Sequence, residues 1–233
     1  MMSKAVASWS GGKDSASALH KAVAGGISVI GLVNIISSET KRVAFQGLPP
    51  GLIRLQAEAL GLRLFQEEYA ATESPQSCRA QASQTFSRLA TEKGIRALVS
   101  GHISETDVQK SQLESLCRET RLILHAPLAG LSTEAVITEF FRLKLKAVIV
   151  NVDIEKVDEA WLGKPLDEAF ISHLRGKSLN LCGDLGEYHT LVTDGPLFKK
   201  SIEFRANGII PLGYRRRLLD IQDWKLSSRR RSL

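Results

Sequence analysis

A short polar loop carries the clearest chemical signal in the sequence. It follows an apolar run at 4–9, precedes a helical pattern at 16–24, and consists of Ser10, Gly11, Gly12, Lys13, Asp14 and Ser15. Two adjacent glycines let the backbone approach an anion closely, and amides at a helix start point toward it. Lys13 and the serine hydroxyls add donors, and Asp14 could hold Mg²⁺ bridging phosphate oxygens. The loop therefore predicts a nucleotide-phosphate site with Asp14 as the metal ligand.

This loop differs from the two commonest nucleotide-binding loops. A Walker A loop needs a glycine five residues before its Gly-Lys pair, where Ala7 stands, and Ser or Thr after the lysine, where Asp14 stands. The glycine spacing does not fit GxGxxG either. The bland alternative is a glycine-rich turn, but a strand before it and a helix after it favour phosphate binding.

A second polar motif lies at residues 181–198. It combines acids, an imidazole, threonines and glycines just before a Gly-Pro turn, and its candidate functional side chains are Glu187, His189 and Thr190. A purely structural segment rarely concentrates polar groups in this way, although a polar hairpin without chemistry is the alternative.

The elements around these motifs alternate between two patterns. Buried strands are predicted from apolar runs at 4–9, 27–36, 62–65 and 95–100. Helices are predicted from periodic stretches at 16–24, 52–62 and 76–93. Alternating strands and helices predict an α/β fold, a parallel sheet with helices on both faces, whose strands end at one ligand-binding edge. Gly101 and His102 follow the strand at 95–100 and are candidate nucleotide contacts, a plain turn being the alternative for His102.

The pattern changes after residue 125. A further buried strand is predicted at 147–152, and shorter strand-like pieces lie near 191–192 and 201–204. We therefore expect a nucleotide-binding domain at 1–125, a smaller α/β domain at 126–213 and a basic C-terminal tail at 214–233.

Composition excludes several classes of protein. The chain has 233 residues, of which 43% are hydrophobic and 24% charged, as in ordinary globular proteins. Its longest apolar stretch, at 27–36, is too short to cross a bilayer, and the first residues do not resemble a secretory signal. Three separated cysteines, with no CxxC pair, indicate neither a disulfide framework nor a metal site. We expect a cytoplasmic protein with no membrane partner.

Most of the net charge lies at the C-terminal end. The chain carries a formal charge of +6, and residues 214–233 supply five of these charges through seven basic and two acidic residues. A solvated basic tail is the simplest interpretation. Nucleic acid is not an expected partner, since a nucleic-acid-binding domain usually spreads its basic residues over a face.

The loop at 10–15 resembles the PP-loop of the N-type ATP pyrophosphatases, which have the adenine-nucleotide alpha-hydrolase fold (HUP). The resemblance implies cleavage of ATP between the α and β phosphorus atoms and adenylation of a substrate oxygen. ATP and Mg²⁺ are the implied cofactors, and the whole loop, with Gly101 and His102, is the implied nucleotide site.

The second motif resembles the signature of the diphthine–ammonia ligase family, and residues 56–61 and 161–167 resemble two further family segments. The resemblance implies ATP-dependent amidation of a carboxylate, with ammonium as nitrogen donor and the diphthine side chain of elongation factor 2 as acceptor. It makes 126–213 the acceptor and ammonia-site domain. The implied catalytic residues are Lys13, Asp14, Glu187, His189 and Thr190, the last three as candidates to hold ammonium or the acceptor.

Two departures from the family pattern leave the acceptor open. Asp184 and Leu185 stand where relatives commonly have Glu-Asn, and His102 replaces the usual Asp or Ala. A different carboxylate, such as a small metabolite, is therefore an alternative acceptor. A PP-loop RNA-modifying enzyme, favoured by the arginine clusters, and a non-catalytic nucleotide-binding module are the alternative functions.

Overall fold

The protein is described here from a computed structural model that covers residues 4–44, 46–70, 75–103 and 108–228. Its first sheet has five parallel strands in the order β3-β2-β1-β4-β5. These strands are β1 (Lys4–Ser8), β2 (Ser28–Ser37), β3 (Arg63–Tyr69), β4 (Ile95–Val99) and β5 (Ile123–His125). The order reverses between β1 and β4, and in parallel sheets such a reversal opens a crevice beyond the strand ends.

Helices cover both faces of this sheet. They are α1 (Lys13–Ala24), α2 (Pro50–Leu60), α3 (Pro75–Glu92) and α4 (Val108–Thr120). On one face Leu32 belongs to a core shared with Leu19 of α1 and Ile53 of α2. On the other face Leu98 belongs to a core shared with Phe86 of α3 and Leu116 of α4. The predicted parallel sheet with helices on both faces is confirmed.

Local sequence explains where α2 begins and ends. Pro50 occupies its first turn, where a missing amide proton costs nothing, and Gly61 ends it in the left-handed conformation at φ 69°. β3 then runs four residues further than the apolar run at 62–65 predicted, because its polar half continues to pair with residues 34–37 of β2.

The remaining chain forms a smaller α/β part around an antiparallel sheet in the order β7-β6-β9-β8. Its elements are α5 (Thr133–Arg142), β6 (Lys146–Asp153), a 3₁₀ turn (Glu159–Trp161), α6 (Glu168–Gly176), β7 (Tyr188–Asp194), β8 (Ser201–Leu212) and β9 (Arg216–Ser227). The predicted second α/β part is therefore present, with longer strands than the sequence indicated.

The expectation of a solvated tail is wrong for most of residues 214–233. Residues 216–227 form β9, which pairs with both β6 and β8, and buries Leu218, Leu219 and Ile221. The density of arginine masked these apolar residues, whose burial outweighs the cost of ordering the strand. Arg229, Arg230 and Arg231 lie outside the described residues.

The two sheets share one core. α1 and α2 contact strands of both sheets, and Leu19 of α1 lies in the same buried cluster as Leu191 of β7 and Ile221 of β9. This arrangement brings the loop before α1 against β7. Within the described parts of the chain, no helix has the length and apolar character needed to cross a membrane.

Candidate functional site

A cavity of about 760 Å³ lies at the crevice between the two sheets. Ser8 and Ser100, at the carboxyl ends of β1 and β4, form part of its wall. Both predicted motifs also line it, through Gly12, Lys13, Asp14, Cys182, Gly183, Asp184, Tyr188, His189 and Thr190. A cavity of this size accommodates a ligand as large as a nucleotide.

The loop at 10–15 needs glycine at position 11. Gly11 has φ 87°, and a Cβ atom there would lie 2.6 Å from Ile53 Cδ1 and 2.8 Å from Gln56 Oε1. Ser15 Oγ donates to the Gly12 carbonyl at 2.9 Å, and the Gly12 amide donates weakly to Ser10 Oγ at 3.3 Å. The loop is thus folded tightly onto the amino end of α1, the positive end of a helix.

Gln56 joins this loop to the second motif. Its side chain is fully buried, accepts from Trp9 Nε1 at 2.8 Å, and donates to the carbonyls of Gly11 at 3.0 Å and Val192 at 2.7 Å. The Val192 amide donates to the Gly11 carbonyl at 2.9 Å. Sequence reasoning assigned Gln56 only to a family-like helix, since a polar residue at helical spacing gives no sign of what it contacts.

Thr190 caps α1 from a distant strand. Its Oγ1 accepts from the Lys13 backbone amide at 3.0 Å, and the residue is buried. Gly12, which precedes the helix, has no side chain with which to cap it. The structure therefore places Thr190 at the site, where its hydroxyl oxygen holds the loop.

The Lys13 ammonium group is buried within the second motif. It donates to both carboxylate oxygens of Asp14, at 2.9 and 2.7 Å, and to the Cys182 carbonyl, and lies 5.5 Å from the ring centre of Tyr188. Burial alone would lower the pKa of Lys13, but the Asp14 charge and the other contacts outweigh it, so that the pKa is raised. A charged Lys13 thus holds the 182–188 segment against the loop.

Gly101 brings the end of β4 against the first turn of α1. A Cβ atom at Gly101 would lie 2.7 Å from the Asp14 carbonyl carbon and 2.8 Å from the Ser15 nitrogen. His102 follows, with its amide donating to Ser100 Oγ at 3.3 Å and its imidazole close enough to Asp184 to oppose the rise in the pKa of that carboxyl caused by its burial. Ser100, which precedes both residues, lines the cavity, and the role of Gly101 and His102 as nucleotide contacts stays a prediction.

His189 and Asp184 present contrasting electrostatics to the cavity. Burial, with the nearby charges of Arg216 and Lys13, lowers the pKa of His189 to about 4, so the imidazole is neutral at ordinary pH. Asp184 is exposed at the cavity wall, and partial loss of hydration is the main cause of its raised pKa.

Glu187 lies apart from the other predicted catalytic residues. Only 2% of it is exposed, and it is not among the described residues that line the cavity. Its Oε1 lies 3.4 Å from Lys156 Nζ, and its carbonyl accepts from the Asp153 amide at 2.9 Å. The structure thus brings Lys13, Asp14, His189 and Thr190 together at the cavity and leaves the Glu187 carboxylate behind its wall.

The far wall of the cavity comes from elements that carried no motif. Tyr69 at the end of β3, Arg79 on α3 and Gln112 on α4 contribute polar groups there. Arg79 donates to Ser115 Oγ and forms an ion pair with Glu119, which fixes α3 against α4. Isolated residues on two amphipathic helices give no sequence signal that could have identified this wall.

Asp14 is suited to contribute one ligand to a magnesium ion. Its carboxylate lines the cavity and its side chain is 29% exposed, although both oxygens also accept from Lys13. No group of three or more His, Cys, Asp or Glu side chains within the described ranges could hold a metal by itself. One carboxylate with phosphate oxygens and water completing the sphere is a common arrangement for Mg²⁺.

The arginines at 215–217 form ion pairs or packing contacts with other residues of the protein. Arg215 forms ion pairs with Asp153 and with Glu155 at 3.0 Å, and Arg217 lies 3.7 Å from Glu159. Arg216 packs its guanidinium against Gly186. These contacts reduce the charge that the cluster offers to a polyanion.

Comparisons with known proteins cover nearly the whole chain. Residues 3–124 match the family model described as diphthamide synthase N-terminal domain, and residues 132–220 match the diphthamide synthase C-terminal domain. The chain is 28% identical over 220 residues to the diphthine–ammonia ligase of Bos taurus, covering 86% of this chain and 82% of that protein. It is 27% identical over 223 residues to the Homo sapiens enzyme of the same name, with the same coverages, and 28% identical over 214 residues to that of Danio rerio, covering 83% of each.

A solved structure, the "predicted subunit of tRNA methyltransferase" from Methanocaldococcus jannaschii, is also similar. It has 14% sequence identity and a TM-score of 0.46, over 84% of this chain and 98% of that one. A similarity at this level bears on neither the fold nor the function of the present chain.

Proposed function

The chain belongs to the diphthamide synthase family, and on this premise we propose that it is an ATP-dependent ammonia ligase. It adenylates a carboxylate and replaces AMP by ammonia, releasing AMP and pyrophosphate. The observation that carries this proposal is the shared cavity, in which the phosphate loop before α1 and the second motif at β7 face one another.

Adenylation is needed because a carboxylate resists attack by ammonia. A carboxylate oxygen of the acceptor attacks the α-phosphorus of ATP, and pyrophosphate leaves. The amino end of α1 and the glycine loop suit the triphosphate, because helix amides and the helix dipole stabilise negative charge that grows on the departing pyrophosphate. Asp14 would supply the protein ligand to a Mg²⁺ ion, which would neutralise part of the charge on the phosphates.

Amination takes place on the side of the cavity formed by the second motif. The acyl adenylate carries a good leaving group, so ammonia displaces AMP and leaves an amide. The relatives' name points to diphthine as acceptor, and we propose the diphthine side chain of elongation factor 2, modified in the cytoplasm. Asp184 at the cavity wall and His102 beside it differ from the family pattern, so a smaller carboxylate is the alternative acceptor.

Product analysis tests the proposal. The purified protein is incubated with ATP, Mg²⁺ and ammonium against a panel of diphthine-bearing elongation factor 2 and small carboxylates. We expect AMP and pyrophosphate in equal amounts, and one acceptor whose mass shows the loss of an oxygen and the gain of NH. ADP as the sole nucleotide product would contradict the proposal, and tight ATP binding without turnover would indicate a nucleotide-binding module instead.

A further inference from the structure

Amination requires a group that removes a proton from ammonium, and this inference rests on the proposed ligase function. Ammonium has no free electron pair, so it cannot attack the acyl adenylate until a base has taken one proton. Among the residues predicted to hold ammonium or the acceptor, Glu187 is the one that carries a carboxylate. The geometry does not support that choice, since Glu187 is 2% exposed and lies 3.4 Å from the Lys156 ammonium.

Asp184 is the carboxylate of the motif that reaches the cavity. It lines the wall next to Gly183 and is exposed, and no described residue donates a hydrogen bond to it or forms an ion pair with it. The charged or titratable groups around it are Lys13 and Asp14 from α1, Cys182, Glu187 and Tyr188 from its own motif, and His102 from the end of β4.

The other polar groups on this side of the cavity are less suited to ammonium. Asp14 is the proposed Mg²⁺ ligand, and both its oxygens also accept from Lys13. The His189 imidazole is neutral, so it offers no negative charge to ammonium. Asp184 combines a negative charge with access, and its raised pKa makes it a stronger base than an ordinary aspartate.

We propose that Asp184 is the catalytic residue that binds ammonium and accepts its proton. One N–H bond of ammonium breaks, its proton goes to an Asp184 oxygen, and the electron pair stays on nitrogen. That pair forms the C–N bond at the acyl carbon while the C–O bond to AMP breaks and AMP leaves with its electrons. The nitrogen then loses a second proton to solvent, giving the amide.

Separate assays of the two half-reactions test this role in D184N. Adenylation is followed as acceptor-dependent pyrophosphate release, and amination with ammonium or with hydroxylamine, which is neutral at pH 7 and needs no such base. We expect D184N to keep adenylation within about threefold and to lose amidation by ammonium about 100-fold or more, the usual effect of removing a general base. Hydroxamate formation should stay close to that of the unaltered protein, and D184E should recover part of the ammonium reaction.

The pH profile and a matched variant complete the test. Amidation by D184N should rise steeply with pH as free ammonia replaces ammonium, whereas the unaltered protein should depend less on pH. D220N removes an aspartate that contacts only Gln222 among the described residues and should leave both half-reactions unchanged. Normal amidation by D184N, or equal loss with both nucleophiles, would overturn the proposal for Asp184 alone. Absence of AMP and pyrophosphate from the unaltered protein with every acceptor would overturn it together with the proposed function.

Discussion

The hydroxyl of Thr190 accepts a hydrogen bond from the backbone amide of Lys13 at 3.0 Å, across 177 positions of the chain. A strand of the second sheet thereby caps α1, whose first turn lines the cavity. Val192, two residues further along β7, donates its amide to the Gly11 carbonyl at 2.9 Å. The loop at 10–15 and the second motif are therefore one structural unit, and a change in either should affect both stability and the proposed nucleotide binding.

Removing the Thr190 hydroxyl should weaken this unit. T190V keeps the shape of the side chain but leaves the buried Lys13 amide without its acceptor, so we expect a loss of about 1–2 kcal/mol in the free energy of unfolding. Pyrophosphate release should fall as well, because the loop loses its cap. Urea denaturation and a pyrophosphate assay measure the two effects.

T190S and T193V serve as comparisons for this variant. Serine retains the hydroxyl, so T190S should stay close to the unaltered protein. Thr193 lies on the same strand, and its hydroxyl makes one weak hydrogen bond within the described part of the chain, to the Lys146 carbonyl at 3.4 Å, so its replacement should have little effect. A T190V protein as stable and as active as T193V would show that the cap is unimportant.

We predict that Gly101, which follows β4, cannot be replaced by a residue with a side chain. In G101A the new Cβ would meet backbone atoms of Asp14 and Ser15 at 2.7–2.8 Å, which no side-chain rotation relieves. The first turn of α1 must then move, and we expect ATP binding to weaken at least about tenfold, or roughly 1.4 kcal/mol. Titration with a fluorescent ATP analogue measures this.

G176A provides the matched control for G101A. Gly176 ends α6, and a Cβ atom there would meet nothing within 4 Å. Alanine at that position should leave nucleotide affinity unchanged and slightly raise stability by restricting the unfolded chain. Equal affinities for G101A and G176A would show that the contact between β4 and α1 does not shape the nucleotide site.

Most of the first sheet could be predicted because its strands and helices have clear patterns over short stretches of sequence. Apolar runs and helical periods identified β1 to β4 with their intervening helices, and parallel order then placed Gly101 beside the loop at 10–15, since both follow strands that end at one edge. The second sheet was harder, because its strands are polar on one side and charged at their ends. The arginines before Leu218 made the sequence of β9 look like a basic tail, so the strand was not predicted.

The arrangement within the second motif depended on register. In a regular strand neighbouring side chains point to opposite faces, yet His189 and Thr190 both reach the cavity. The pairing of β6 with β7 is irregular at this point, because β6 has an extra residue, Val150, between the pairs Ile149–Thr190 and Asn151–His189. Tertiary packing sets such details, so the sequence alone could not show that Glu187 lies beside Lys156 while Asp184 lines the cavity.

Gln56 should be a main stabilising contact between the loop and β7. Q56L leaves the Trp9 indole N–H and the Val192 carbonyl, both tied to Gln56 through short hydrogen bonds, without that partner. We expect a loss of about 2–4 kcal/mol in the free energy of unfolding. Q222L, at an exposed glutamine that contacts Asp220, should change it by less than about 0.5 kcal/mol. Similar urea midpoints for the two variants would contradict this role.

His20 should make the protein less stable in mild acid. It is buried in α1, and burial lowers its pKa from 6.5 to about 4. Below pH 6.5 the unfolded chain binds a proton that the folded chain does not, so the free energy of unfolding is at its full value above pH 6.5 and decreases as the pH falls toward 4. At pH 5 the free energy of unfolding is lower than its full value by about 2 kcal/mol for one such histidine.

Replacing His20 separates its effect on the pH dependence of stability from that of His189. The pKa of His189 is also lowered to about 4, so His189 likewise destabilises the folded protein in acid. H20L fills a similar volume without a titratable group, so its stability should fall by about 2 kcal/mol less than that of the unaltered protein between pH 7.5 and pH 5. Urea denaturation at both pH values gives this difference, and H189Q should show a comparable reduction. The prediction depends on burial keeping the His20 imidazole neutral. Equal pH dependence in H20L and the unaltered protein would contradict it, because His20 would then take up a proton in the folded state as readily as in the unfolded chain.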